Sequence, residues 1–189
     1  MKNKLILVLL FFTALCFAQE NYRWPIDSPR VLTGNYGELR PNHFHAGIDF
    51  STNNLVNLPV YAVENGYISR VKISSSGYGK NIYITHANGK VSVYCHLNSL
   101  NVAVSDLVKK EQYAKQSYEV EIFPKAKSIS VKKGELIGLS GNTGNSTGPH
   151  LHFEFRDEKT EVPLNPLKYF DIVDTVLPTI QRIAFYNLA

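Results

Sequence analysis

The chain has 189 residues, room for one well-packed domain with short ends and too little for two domains of ordinary size. Its 44% hydrophobic and 19% charged residues exclude a disordered chain, and the 12% aromatic fraction suits strands, a core, or a groove that grips an extended ligand. The formal net charge of +4 falls to +2 (18 basic against 16 acidic residues) once the two lysines of the leader are set aside, which is too little to argue for nucleic acid.

Lys2 and Lys4, the apolar run 5–12, and small residues at Cys16 and Ala18 read as a signal peptide over residues 1–18, cut after Ala18 to leave Gln19. The apolar run is short for a membrane span of about 20 residues. Leu15 precedes Cys16 where lipidation would want a small residue. The expectation is an exported protein, in the periplasm, cell envelope or outside the cell, with no stable membrane insertion after cleavage. Cys95 is then the one remaining cysteine, so no disulfide within the chain can form.

Residues 19–29 form an extended lead around Trp24-Pro25. From about 30 to 170, short β-type runs at 60–63, 67–73, 81–85, 91–94 and 135–139 alternate with Gly, Asn and Pro turns. Asn88-Gly89 between two such runs is a strong hairpin signal. The fold expected is a mainly β, antiparallel domain with one short helical insertion. The helix is predicted over 105–116 (SDLVKKEQYAKQ), capped by Ser105 or Asp106, with an alternating strand over 118–123 after it. The tail, 171–189, reads like the lead into a further β domain.

The segment 150–156 (HLHFEFR) alternates polar and apolar at every position. As a strand it puts His150, His152, Glu154 and Arg156 on one face and Leu151, Phe153 and Phe155 in the core. His45 and Asp49 lie four apart, again on one face of a strand with Ile48 and Phe50 opposite. A catalytic zinc takes three protein ligands and keeps one position open. His45, Asp49 and one histidine of the 150/152 pair make such a set, leaving the other histidine for proton transfer. His96 ends another β run. Strand alternation predicts that Cys95 faces away from His96, as a buried and inert thiol.

These elements occur in a fixed order: His45-x-x-x-Asp49, Tyr94-x-His96-Leu97, and the run from Gly141 through Gly148-Pro149-His150-Leu151-His152-Phe153-Glu154. Together they resemble the M23 peptidases, the lysostaphin or LytM-type zinc endopeptidases, over about residues 30–170. The resemblance implies a LytM-like fold (a duplicated hybrid motif) with an open groove. It implies a zinc ion on His45, Asp49 and His152, with His150 and His96 as the catalytic pair beside a metal-activated water. The substrate implied is the peptide stem or cross-link of bacterial peptidoglycan. Some M23-like domains have lost their ligands and regulate cell-wall amidases instead; here every ligand position is filled, which favours the enzyme. Which of His96 and His150 is the base stays open. His43 and His86 fall outside this set, His86 as a structural or supporting residue. Arg40 reads as an ordinary surface arginine with a minor claim on oxyanion charge. The segment 105–130 is longer than the family's usual link, and it is expected either to border the groove or partner surface or to act as a spacer.

Overall fold

The computed structural model describes residues 21–172. The predicted signal peptide and residues 173–189 of the tail lie outside them. The strands are β1 (Leu32–Gly34), β2 (Ile48–Ser51), β3 (Pro59–Tyr61), β4 (Gly66–Ile73), β5 (Lys80–His86), β6 (Lys90–Leu97), β7 (Ser99–Leu100), β8 (Val120–Ile122), β9 (Ser130–Val131), β10 (Leu136–Leu139), β11 (His150–Asp157) and β12 (Pro163–Leu164). One helix, α1 (Val102–Lys115), lies between β7 and β8, and a 3₁₀ turn (Pro166–Lys168) follows β12. Every strand pairing among the described residues is antiparallel. The main sheet runs β1-β2-β11-β6-β5-β4-β8, with β12 also on β11 and β9 also on β4; β3-β10-β7 form a second, small sheet. This is the mainly β fold expected, with one helix.

The period-two pattern of β11 sets the core. Leu151, Phe153 and Phe155 are fully buried, and their rings and branches meet Phe50 of β2 and Tyr94 of β6. Both ends of the described chain close on this cluster. Trp24 packs its ring 4.6 Å from Phe50, and Tyr22 lies 4.7 Å from Phe155. Phe170 packs 5.5 Å from Phe153. The lead is fastened by backbone bonds from Arg23 N to Val63 O and from Tyr61 N to Pro25 O. Much of the aromatic content therefore fills the core.

The β5–β6 hairpin turns at the predicted place. Gly89 has φ +75°, the left-handed conformation that glycine adopts without strain, and Asn88 Oδ1 accepts from Lys90 N at 3.2 Å. The helix begins three residues earlier than expected. Asn101, not Ser105 or Asp106, is the cap, its side chain accepting from Val104 N at 3.1 Å. Ser105 instead lies inside the first turn and donates to Leu100 O. The helix buries only Val104 and Val108. The strand after it, β8, is shorter than predicted and extends the main sheet beyond β4, with Ile122 opposite Val71. No helix of the described residues is long and apolar enough to cross a membrane.

His86, at the end of β5, is buried. His86 Nδ1–H donates to Asn65 O at 2.9 Å, and Nε2 lies 2.8 Å from Ser92 Oγ. Ser92 Oγ is 3.1 Å from the Tyr94 hydroxyl, which accepts from Val63 N at 2.9 Å. Burial lowers the His86 pKa below 6.5 and outweighs the Asn65 carbonyl, which pulls it up.

Two expectations follow from this core. Phe153→Ala should cost about 3–5 kcal/mol of stability, read as a lowered urea midpoint at unchanged slope. Because burial lowers the His86 pKa in the folded chain, the unfolded chain takes the proton first as pH falls through 6.5, and stability falls there. His86→Gln should flatten the pH dependence of the melting temperature there; an unchanged profile would assign the loss to other groups.

Candidate metal centre

The pairing of β2 with β11 sets Asp49 directly opposite His152, and directly opposed residues share a face. His45 is delivered differently from the expectation, because β2 starts only at Ile48. It sits in a short ladder before the strand, bonded from His45 N to Glu38 O and from Gly37 N to His45 O. The three donor atoms still converge. His45 Nε2 is 2.9 Å from His152 Nδ1 and 3.1 Å from Asp49 Oδ1, and His152 Nδ1 is 2.9 Å from Asp49 Oδ1. All three residues are buried. Donors held about 2.0–2.1 Å from a tetrahedral ion lie roughly 3.3 Å apart, so this triangle needs to open only slightly.

The far nitrogen of each imidazole is already committed to a protein acceptor. His45 Nδ1–H donates to Asn35 O at 2.8 Å, and His152 Nε2–H donates to Glu154 Oε1 at 2.9 Å. Each ring thus turns its other nitrogen toward the same point, the arrangement of a metal-ligating histidine. Hydrogen bonds from His152 and His45 hold the Asp49 carboxyl far below its usual range, although burial alone would raise it. His152 goes the other way: burial lowers its pKa, but the hydrogen bonds to Asp49 and Glu154 outweigh this and push it up to about 9.

His150 and His96 stand beside this cluster, their ring centroids 4.8 Å apart. His150 Nδ1–H donates to Gly148 O at 2.8 Å, and its Nε2 is 3.5 Å from Asp49 Oδ1. His96 Nδ1–H donates to Thr143 O at 2.7 Å, and burial pulls its pKa down to about 4, so the ring is neutral at neutral pH. The structure thus brings together His45, Asp49, His152, His150 and His96.

His96 reaches this place through a bulge. Lys80 pairs with Leu97 but Ile82 pairs with Tyr94, so β6 carries one extra residue, and His96 has φ +58°. This overturns the expectation for Cys95. Cys95 lies opposite His152 on the same side of the sheet as the centre, packed with Tyr78, Tyr83 and Val93. It is nevertheless fully buried, and burial together with the Glu154 charge pushes its thiol well above the ordinary range, so it is inert for a different reason.

Arg40 also departs from the surface role expected of it. Its Nη2 lies 3.2 Å from Asp49 Oδ2 and 3.1 Å from Glu38 Oε2. Gly34 of β1 makes room for this pair, since a Cβ there would lie 2.3 Å from Asp49 Oδ2 and 2.7 Å from Arg40 Nη2. Glu154 is wholly buried and accepts from His152, from the Tyr78 hydroxyl at 2.5 Å and from Arg156 Nε at 2.6 Å. The alternation in β11 put Glu154 and Arg156 on this face. Tyr78 sits in a glycine-flanked turn with no periodic signal.

The centre opens into a cleft of about 560 Å³, whose rim includes Thr33, His43, Asn54, Asn145 and Thr147. His43 is exposed there, its ring against Asn42 Oδ1. One wall is a joint between two loops. Asn145 N donates to Gly77 O at 2.8 Å and Lys80 N to Thr143 Oγ1 at 3.0 Å. Cβ atoms built on Gly79 and Gly144, both at positive φ, would lie 2.4 Å from atoms of the opposite loop. No residue of 105–130 lines the cleft. The segment touches its periphery instead: Glu119 Oε1 accepts from Ser75 N at 2.8 Å and from the Ser74 and Ser75 hydroxyls, at the base of the Tyr78 turn.

Known proteins resemble the chain in sequence and in fold. The chain is 37% identical over 131 residues to an uncharacterized metalloprotease of Haemophilus influenzae, covering 69% of this chain and 21% of that protein. It is 34% identical over 135 residues to the DD-carboxypeptidase/endopeptidase Mpg of Neisseria meningitidis, covering 71% of this chain and 23% of the relative. The chain therefore spans about a fifth to a quarter of the length of these curated relatives. Among solved structures, a zinc-containing peptidase from Vibrio cholerae superposes with a TM-score of 0.57 at 27% identity, over 79% of this chain and 40% of that one. The model of peptidase family M23 matches residues 43–118 and 116–166, so the chain belongs to peptidase family M23.

Proposed function

We propose that this chain is an exported zinc-dependent endopeptidase that hydrolyses peptide stems or cross-links of bacterial peptidoglycan. The observation that carries the reading is the convergence of His45, Asp49 and His152 in a cleft, with both ligand rings locked from behind by Asn35 and Glu154. The metalloprotease and endopeptidase names of the relatives, and the zinc of the Vibrio structure, support the same chemistry.

A zinc ion held by these three residues supplies a Lewis acid for the scissile carbonyl and lowers the pKa of water toward neutrality. The chain supplies the proton handling. With His150 Nδ1–H fixed on Gly148 O, its Nε2 is the nitrogen available to accept a proton from the attacking water and return it to the leaving amine. His96, kept neutral by burial and anchored on Thr143 O, places a second imidazole against His150 to orient the water or the carbonyl. Arg40 fixes the Asp49 oxygen that faces away from the histidines.

His152→Ala should lose most of its zinc by elemental analysis, and full occupancy would strike His152 from the ligand set. His150→Ala should keep zinc but hydrolyse purified wall fragments about 10²–10⁴-fold more slowly, followed by mass spectrometry of the products. Loss of metal in that variant would exchange the roles assigned to His150 and His152. Near wild-type turnover would remove His150 from the chemistry.

A further inference from the structure

We propose that Glu154, held by Tyr78 and Arg156, is the positioning residue that sets the affinity of this centre for its metal ion. The inference rests on the zinc reading above and goes beyond it, from the residues that would touch the ion to the group that aims one of them. Glu154 is wholly buried on β11, two residues past His152 and on the same face. A carboxylate so placed is costly unless each oxygen finds a donor. Here Oε1 takes His152 Nε2–H at 2.9 Å and the Tyr78 hydroxyl at 2.5 Å, while Oε2 takes Arg156 Nε at 2.6 Å.

The result is control of His152 on two sides. Glu154 fixes the edge of the imidazole, so Nδ1 is the nitrogen turned toward Asp49 and His45. Tyr78 fixes its face: the two rings stack with centroids 5.2 Å apart and planes 25° from parallel. Tyr78 therefore both covers the ligand and anchors the carboxylate behind it. A group that merely tied β11 to its neighbours would have no reason to end on the outward nitrogen of a ligand. Arg156 balances the charge of Glu154 from the far side, where its guanidinium lies 5.9 Å from the ring centre of Tyr83. Fixing the ring before the ion arrives removes the rotational freedom that binding would otherwise have to take away.

The test compares wild type, Glu154→Gln and Tyr78→Phe for zinc dissociation constant, by competition with a chromophoric chelator, and for the visible spectrum of the cobalt(II)-loaded proteins. Glu154→Gln should bind zinc about 10–100-fold more weakly and shift the cobalt bands. Tyr78→Phe keeps the ring but loses the donor, so it should weaken binding in the same direction by less. Melting of the metal-free proteins establishes that each variant is folded. A folded Glu154→Gln with wild-type zinc affinity and an unchanged cobalt spectrum would overturn the proposal. Should that variant fail to fold, Tyr78→Phe decides, and a wild-type affinity and spectrum there would overturn it equally. Wild-type protein that binds no zinc would instead sink the reading of the previous subsection, and this one with it.

Discussion

The register between β2 and β11 is the constraint on which the rest depends. With Asp49 opposite His152, and Ile48 opposite Phe153, one pairing sends two candidate ligands to one side and two core side chains to the other. A slip of one residue would reverse every side chain in the strand and dismantle core and centre together. The aromatic cluster under β11 is thus what holds the donors in place. Phe50, Phe153 and Phe170 cannot be satisfied in any other register without emptying the interior.

On the opposite side of that sheet, ionisable groups alternate in sign through a chain of half-buried Arg40, buried Asp49, His152 and Glu154, and half-buried Arg156. Each would be expensive alone, and each is tolerable because its neighbour compensates it. The two carboxylates hold a proton on His152, and interaction with His152 and Arg156 keeps Glu154 ionised down to about pH 2 against the pull of burial. A cation held by His45, Asp49 and His152 would supply at this point the positive charge that the proton supplies.

Much of this was legible in the residues. The strict alternation of 150–156 reads directly as a strand with a core face and a polar face, and the four-residue spacing of His45 and Asp49 points to the same place. What escaped was set by backbone detail that has no periodic signature. The extra residue in β6 breaks the alternation on which the placement of Cys95 relied, and only the pairing of Lys80 with Leu97 reveals it. The start of α1 was misplaced because Asn101 and Ser105 are both competent caps, and tertiary packing of Val104 chose between them. Arg40 and Tyr78 find their partners across 9 and 76 residues of chain, respectively, contacts that local pattern does not encode.

The interlocked glycines of the cleft wall bear on how a ligand is received. Because atoms of the opposite loop fill the places where a Cβ on Gly79 or Gly144 would stand, neither loop can swing out without unmaking the joint, and Glu119 ties down the base of one of them. This side of the cleft is a finished mould and not a jaw that shuts. A flexible guest would therefore give up its own disorder on entry while this wall gives up little, and a guest stiff beforehand would meet a smaller entropic penalty than a slack one.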